Sequence, residues 1–286
     1  MRIVDFRLRP PIGAFLKTRI YSAPDNRDRY TAKLGFEPAP SVQKQSLDLL
    51  FAEMDAAGIS TGVVVARNTD KLGVVTNQDV AEIAAAHPTR FVAVGSLHPA
   101  IRKAAMLQIE EARRLGLKLV NIEPGALAEP LHVDDRRLYP LYATCEDLGI
   151  GVVVMSGGAA GPDISYTSPE HIDRVLGDFP KLPVVSSHGN WPWVQEIIHV
   201  AFRRPNLYLS PDMYLPNLPG TDDYVRAANG FMQDQFLFAT AYPFCPLKAY
   251  TDWFLSLPWK ARTLEKALHL NAEALLGLKP SATDAT

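Results

Sequence analysis

Cysteine and long apolar runs are scarce in this sequence. Cys145 and Cys245 are the only cysteines among the 286 residues, and their spacing fits neither a disulfide framework nor a zinc knuckle. We expect both to be reduced structural thiols. No stretch approaches the roughly 18 apolar residues of a membrane helix, and the amino terminus, MRIVDFRLRPP, lacks the apolar run of a signal peptide. The sequence therefore predicts a cytoplasmic protein that does not contact a membrane.

An excess of positive charge is also missing. Lys and Arg total 29 while Asp and Glu total 31, which gives a formal net charge of -2. This balance argues against nucleic acid as a partner, because phosphate backbones are bound by basic surfaces. Hydrophobic residues make up 47% of the chain and charged residues 21%. That composition is typical of a globular protein with a large core and excludes a disordered chain.

Short β-branched runs alternate with segments of helical periodicity, which is the pattern of a parallel sheet built from βαβ units. The runs are 2–6, 61–67, 91–97, 117–123, 150–156, 182–188, 206–212 and 235–241. The helical segments are 42–57, 77–86, 100–115, 135–148, 168–177, 192–203 and 221–233. Eight such units predict an α/β protein with a single-domain (β/α)8 TIM barrel over residues 1–278. A long loop is expected at 10–40 and a flexible tail at 279–286.

Polar residues cluster where the predicted strands end, which is where barrels of this kind carry their functional side chains. We assign catalysis to His188 as a base and Asp212 as its acid/base partner. The other candidates, assigned to substrate binding, are Arg7, Arg9, Arg67, Glu123, Ser156, Asn190 and Tyr214. A structural role stays open for His188, and Asp212 can instead neutralise an arginine.

Several of these stretches resemble the amidohydrolase-related family, a group of barrels that includes aminocarboxymuconate semialdehyde decarboxylase. VDFRLRP resembles the family's opening D-x-H-x-H, and VVVMSG resembles its fifth-strand V-x-I-H-T-G. VVSSHGNWPW resembles the sixth-strand H-x-G/N, and FATAYPF resembles the last-strand G-S/T-D-Y-P. The closing HLNAEALLGL is similar to the family's N-A-x-x-L-L-G/F helix. The resemblance covers nearly the whole chain and implies the same barrel fold.

The resemblance also implies a divalent metal, commonly zinc, held by the two opening histidines, histidines on strands five and six, and the late aspartate. The corresponding residues here are Arg7, Arg9, Met155, His188 and Ala241, so one ligand of five is retained. Zinc takes about four N, S or O ligands, and a protonated guanidinium has no lone pair to donate. We therefore predict no metal and no other cofactor, although Asp212, Glu123 and His98 leave a rebuilt site open.

Residues 5, 7 and 9 alternate along the first strand, which predicts that Asp5, Arg7 and Arg9 share one face. Two buried guanidiniums supply fixed positive charge and planar forks that match a carboxylate or phosphate. We expect a small anionic substrate for that reason. The alternative is an internal salt-bridge network with Asp5, Glu123 or Asp212. The two interpretations coexist if the substrate supplies part of the countercharge.

The glycine-rich loop SGGAAGP at 156–162 adds a weaker signal. Successive backbone amides in such a loop can bind an anion, although many turns between strand and helix need glycine for their geometry alone. Arg67 can likewise contact the anion or pair with a surface carboxylate.

A positioned base and fixed oxyanion donors suit an activated ester or lactone when no metal generates hydroxide. The sequence therefore predicts a metal-independent hydrolase acting on a small carboxylate-bearing lactone or ester. Non-redox decarboxylation or hydration is the alternative reaction. A barrel without catalysis, serving as a ligand binder or as the silent partner of an active homologue, is the non-enzymatic alternative. A homo-oligomer or a homologous partner subunit stays open.

Overall fold

A curled parallel sheet forms the centre of the protein in a computed structural model that describes residues 2–278. The strands are β1 (Val4–Leu8), β2 (Thr61–Val65), β3 (Arg67–Thr69), β4 (Gly73–Val75), β5 (Phe91–Ser96), β6 (Leu119–Ile122), β7 (Gly151–Met155), β8 (Val184–Ser187) and β9 (Leu207–Ser210). Seven of them form one sheet in the order β1-β2-β5-β6-β7-β8-β9, and β3 and β4 form a separate antiparallel hairpin. Each of these seven strands begins and ends within two residues of the corresponding predicted run.

Segment 235–242 completes the barrel by joining the two outer strands of the sheet. Leu209 of β9 forms a parallel bridge with Phe236, and Leu8 of β1 forms another with Tyr242. The segment corresponds to the eighth predicted strand. The predicted single-domain (β/α)8 fold is confirmed.

Helices surround this sheet. They are α1 (Arg19–Ser22), α2 (Pro24–Lys33), α3 (Pro40–Gln43), α4 (Leu47–Ala57), α5 (Asn77–Ala86), α6 (Arg102–Arg114), α7 (Tyr139–Leu148), α8 (Pro169–Asp178), α9 (Val194–Arg203), α10 (Thr221–Ala228), α11 (Leu247–Ser256), α12 (Ala261–Glu265) and α13 (Asn271–Leu276). Two apolar clusters result because strand residues alternate between the helix layer and the barrel interior. Ala272 and Leu276 of α13 belong to the interior cluster and close one end of the barrel.

Residues 10–40, which follow β1 and end at the first residue of α3, are called the arm here. The prediction of a long loop is wrong for part of it, since α2 is a ten-residue helix with a proline in its first turn. Side-chain hydrogen bonds hold α2 in place: Thr31 Oγ1 donates to the carbonyl of Phe244 at 2.7 Å, and Arg27 Nη1 donates to that of Ile20 at 3.1 Å.

The pairing of β1 with β2 shifts register between Asp5 and Leu8. The predicted shared face therefore holds for Arg7 and Arg9, which both approach Glu123, and not for Asp5. The Asp5 carboxylate accepts hydrogen bonds from the Thr240 backbone and hydroxyl at 3.0 and 2.6 Å, and it meets Arg7 through the backbone amide alone.

Both cysteines are free and buried, as predicted. No helix within residues 2–278 has the length and apolar character needed to cross a membrane. The predicted flexible tail at 279–286 lies outside the described residues.

Candidate active site

Three arginines converge on one buried carboxylate at the carboxyl ends of the first strands. Arg9 Nη2 donates to Glu123 Oε1 at 2.9 Å, and Arg67 Nη2 donates to the same oxygen at 3.1 Å. Arg7 Nη2 lies 3.6 Å from it. We call Arg7, Arg9 and Arg67 the floor cluster. Glu123 follows β6 and Arg67 opens β3, so distant parts of the chain supply the group.

Electrostatics keep Glu123 ionised inside this cluster. Burial by itself raises the pKa of its carboxyl, but the three guanidiniums, led by Arg67, outweigh burial and lower the pKa to about 2. Burial also lowers the pKa of Arg9, and the charge of Arg67 lowers it further. A guanidinium nevertheless stays protonated at neutral pH. The floor cluster therefore holds positive charge that Glu123 offsets only in part.

His188 and Asp212 form a hydrogen-bonded pair beside the floor cluster. His188 Nδ1 lies 2.7 Å from Asp212 Oδ1, and Arg7 Nε lies 3.9 Å from Asp212 Oδ2. Because the carboxylate only accepts, Nδ1 carries the proton and Nε2 of the neutral ring is left with a lone pair. Burial lowers the pKa of His188, although the Asp212 charge opposes that shift. The imidazole is thus neutral at neutral pH and can act as a base.

The backbone is unusual at the same strand ends. His188, Asp212 and Ala241 have φ values of 70°, 45° and 55°, in the left-handed region that non-glycine residues rarely adopt. Such conformations persist only where the surrounding structure enforces them, and they concentrate at functional sites.

The floor cluster borders a cavity of about 260 Å³ that also contacts His188. Within the described residues, the Nε, Nη1 and Nη2 atoms of Arg7 are buried and have no hydrogen-bond partner. Asp212 Oδ2 is likewise buried and has no hydrogen-bond partner there. Buried polar groups are normally satisfied, so these atoms indicate a place for a polar ligand or water.

Apolar and aromatic side chains form the walls of this cavity. They are Ile20, Tyr30, Leu72, Met155, Met213, Tyr214, Ala241 and Phe244. The Tyr214 ring stacks on Trp191 at 5.4 Å and meets the His188 ring edge-on at 5.2 Å. Burial raises the pKa of the Tyr214 hydroxyl, which therefore stays protonated. These walls suit a small planar or unsaturated molecule.

Three backbone amides of the glycine-rich loop are hydrogen-bonded within the protein. Ser156 N donates to Ser187 O at 3.2 Å, Gly158 N donates to Trp191 O at 2.8 Å, and Ala159 N donates to the Tyr214 hydroxyl at 3.3 Å. The glycines instead permit close approach, because a Cβ at Gly158 would lie 1.9 Å from the Tyr214 ring. These three amides are therefore not available to an anion, and Gly157 and Ala159 contribute to the cavity wall.

Ser156 and Asn190 lie behind the cavity. Ser186 Oγ donates to Asn190 Oδ1 at 2.6 Å, Ser156 Oγ donates to the same oxygen at 3.2 Å, and Asn190 Nδ2 donates to Thr167 O at 2.9 Å. Their polar atoms are therefore occupied by the protein. Neither residue lines the cavity, and their hydrogen bonds hold the segment that carries His188.

The residues at the positions implied for a metal do not fit one. No group of three or more His, Cys, Asp or Glu side chains within residues 2–278 is arranged to hold a metal ion. His188 uses Nδ1 for Asp212, and Glu123 is enclosed by guanidiniums. His98, considered for a rebuilt site, lies 3.4 Å from Asp70 at the hairpin tip and does not line the cavity. The floor cluster would repel a cation by its charge.

The family model described as Amidohydrolase matches residues 6–278. The chain belongs to the amidohydrolase family. This match confirms the family predicted from the five motifs, and the floor cluster stands at two of the positions for which the resemblance implied metal ligands.

Three similar proteins place this amidohydrolase among its relatives. An uncharacterized TIM-barrel protein from Bordetella bronchiseptica is 65% identical, with 97% of this chain and 99% of that chain covered and a TM-score of 0.95. 2,6-Dihydroxybenzoate decarboxylase from Rhizobium is 18% identical, with 97% and 99% covered and a TM-score of 0.71, and thus shares the fold. A 2-amino-3-carboxymuconate-6-semialdehyde decarboxylase from Dictyostelium discoideum is 32% identical over 89 residues. That match spans 30% of this chain and 24% of the Dictyostelium protein.

Sequence reasoning missed two arginines of the arm, Arg19 and Arg27, which also line the cavity. The signal available was composition, because the arm is rich in Arg, Pro and Tyr but has no apolar period. It also missed the hairpin of β3 and β4, which brings Arg67 to Glu123 and Leu72 to the cavity wall.

Proposed function

We propose that this protein is a non-redox decarboxylase of a small unsaturated or hydroxyaromatic carboxylic acid. The observation that carries the proposal is the floor cluster, whose buried Arg7 nitrogens have no hydrogen-bond partner within the described residues. Guanidiniums match the geometry of carboxylate and enolate oxygens. Decarboxylases also stand among the relatives of this amidohydrolase, which favours this reaction over the lactone or ester hydrolysis expected first.

Loss of CO2 leaves an electron pair on carbon, so the reaction needs a place for negative charge. When a hydroxyl or keto oxygen is conjugated to that carbon, the charge moves to the oxygen. Fixed positive charge beside that oxygen stabilises the transition state, typically by about 10²–10³-fold for each well-placed donor. In our proposal Arg7 and Arg9 take this role, and no metal is needed.

His188 moves the proton in this scheme. Its neutral Nε2 takes the proton of the substrate hydroxyl, and the resulting imidazolium, stabilised by Asp212, gives it to the carbon bearing the carboxylate. The bond from that carbon to the carboxylate then breaks, CO2 leaves, and the electron pair returns through the conjugated system to the oxygen. Solvent reprotonates the oxygen. A positioned acid/base of this kind contributes about 10²–10⁴-fold.

Hydrolysis of a small lactone or ester is the second candidate. It is favoured by the lowered pKa of His188, since a neutral imidazole held by Asp212 can deprotonate water. The floor cluster would then bind the oxyanion of the tetrahedral intermediate.

Two assays on one panel of compounds separate these reactions. Hydroxybenzoates, unsaturated carboxylic acids and small lactones are incubated with the purified protein, and released CO2 and acid formation are measured in parallel. We expect CO2 from at least one acid and no acid formation from the lactones. Acid formation from a lactone without CO2 would favour the second candidate.

Arg9→Met tests the floor cluster in the same panel. The substitution removes the charge and keeps a long side chain, so we expect turnover to fall by about 10²-fold or more. Benzoate should raise the Tm of the wild type and not that of the variant, whereas neutral benzamide should raise neither. Arg114→Met, on the exposed face of α6, is the matched control and should behave as the wild type. Equal benzoate stabilisation of Arg9→Met and wild type would overturn the proposal.

A further inference from the structure

Basic side chains line the cavity from its floor to its mouth. Its arginines are Arg7, Arg9, Arg67, Arg19 and Arg27, and no carboxylate of the described residues is among its lining side chains. Glu123 and Asp212 lie against the floor cluster. Arg19 and Arg27, which we call the mouth pair, belong to the arm and are separate from that network.

The mouth pair retains donors that the protein does not use. The Arg19 side chain is exposed and has no hydrogen bond or ion pair within residues 2–278. Arg27 is 4% exposed; its Nε donates to Asp28 at 2.7 Å and its Nη1 to Ile20 O at 3.1 Å. Its Nη2 has no partner in the part of the chain that the structure describes. This nitrogen is not among the fully buried atoms, so it is accessible, and an unused guanidinium nitrogen beside a cavity fits an anionic group there.

The arm is fixed against the barrel, so the mouth pair has a defined position relative to the floor. Tyr21 Oη donates to the carbonyl of Arg9 at 2.8 Å, which joins the arm directly to the floor cluster. The Arg19 amide donates to Leu72 O at 3.1 Å, which joins the arm to the hairpin.

An aromatic wall runs beside the space that the two arginine groups border. Tyr30 and Phe244 meet edge-on with ring centroids 6.2 Å apart, and both line the cavity. A ligand that reaches both arginine groups therefore has an apolar middle and a charged group at each end.

We infer that the mouth pair is a second anion-binding subsite and that the substrate of this enzyme carries two acidic groups. One group reacts at the floor cluster, and the other is held by Arg19 and Arg27. This inference rests on the proposed function, because it takes the floor cluster to be the place of reaction.

Binding of flexible dicarboxylates tests the second subsite. Dissociation constants are measured by calorimetry for butyrate and for succinate, glutarate and adipate, at constant ionic strength, with wild type and Arg19→Gln. At least one dicarboxylate should bind the wild type more tightly than butyrate. Arg19→Gln should raise the dissociation constant of that dicarboxylate by about three- to tenfold, the effect of one partly exposed charge contact. It should change the dissociation constant of butyrate by less than about twofold. Lys17→Gln, an exposed lysine of the same arm, is the control and should change neither.

The outcomes separate this inference from the proposed function. If every dicarboxylate binds as butyrate does, or if Arg19→Gln leaves the dicarboxylate constants unchanged, the second subsite is wrong while the floor cluster stands. If butyrate fails to bind, or binds Arg9→Met as tightly as the wild type, the floor cluster itself is wrong. Arg27→Gln is measured in parallel, provided that its Tm matches that of the wild type. This variant should also bind the same dicarboxylate more weakly.

Discussion

At the scale of single residues, His188 is defined by what its two nitrogens do. Asp212 holds Nδ1 at 2.7 Å, and the ring of Tyr214 fixes the orientation of the imidazole edge-on. This arrangement selects one tautomer and directs the lone pair of Nε2 away from Asp212.

His188→Asn isolates the role of Nε2. The asparagine amide can replace Nδ1 as the donor to Asp212, and asparagine tolerates the positive φ of position 188 better than most residues. We expect kcat to fall by about 10²–10⁴-fold, with the free energy of unfolding changed by about 1 kcal/mol or less. Steady-state kinetics and urea unfolding measure the two effects.

The matched control is His199→Asn on the exposed face of α9, which should keep full activity. In the wild type, kcat/KM should decline on the acid side of its pH profile with a midpoint below the ordinary histidine pKa of about 6.5. The reason is that burial disfavours the imidazolium. An active His188→Asn would contradict the catalytic assignment.

Glu123 explains why the two interpretations of the arginines coexist. It accepts from Arg9 and Arg67 through one oxygen, which is the internal network that the sequence left open. The guanidinium of Arg7, however, makes no hydrogen bond within the described residues. Glu123 thus stabilises the floor cluster within the protein, and in our proposal the substrate satisfies the remaining donors of Arg7.

At the scale of elements, Asp5 joins β1 to segment 235–242. Its carboxylate accepts from the backbone and hydroxyl of Thr240, near the register shift of β1. Side-chain hydrogen bonds therefore help to close the barrel here. Burial raises the pKa of Asp5 to about 6, although the hydrogen bonds from Thr240 and the Arg7 amide oppose it.

Asp5 should consequently make stability depend on pH. The folded state keeps the proton up to about pH 6, whereas the unfolded chain releases it near pH 3.9. Its contribution to stability is present below the unfolded pKa and is lost as pH rises through 6. Asp5→Asn, whose amide can donate to the Thr240 hydroxyl, removes this dependence. Relative to wild type, the free energy of unfolding of Asp5→Asn should increase by on the order of 2 kcal/mol between pH 4 and 7.

Urea unfolding at both pH values measures that difference. Asp147→Asn, an exposed aspartate on α7, should show none. A constant difference between Asp5→Asn and wild type across this range would mean that Asp5 is ionised throughout. Glu123 is common to both proteins and acts in the opposite direction, since its stabilising charge is lost only as pH falls toward 2.

At the scale of the whole molecule, the sequence predicts the barrel because buried parallel strands read as apolar runs. It does not predict α2, whose sequence PDNRDRYTAK has no apolar stripe and is held by hydrogen bonds from Arg27 and Thr31. The predicted positions of the strand ends correctly indicated that His188 and Asp212 are neighbours. They did not indicate the hydrogen bond between Ser156 and Asn190, because such pairing depends on side-chain directions in three dimensions.

The metal content of the purified protein tests the barrel as a whole, because the implied ligand positions come from four different strands. With Arg7, Arg9, Met155 and Ala241 at those positions, we expect clearly substoichiometric zinc and manganese by elemental analysis. Incubation with EDTA should leave both the Tm and the proposed decarboxylase activity unchanged, because we expect no folding free energy from metal binding. Stoichiometric metal that is lost in His188→Asn, together with inactivation by EDTA, would show instead that His188 is a metal ligand and that the floor cluster does not replace the ion.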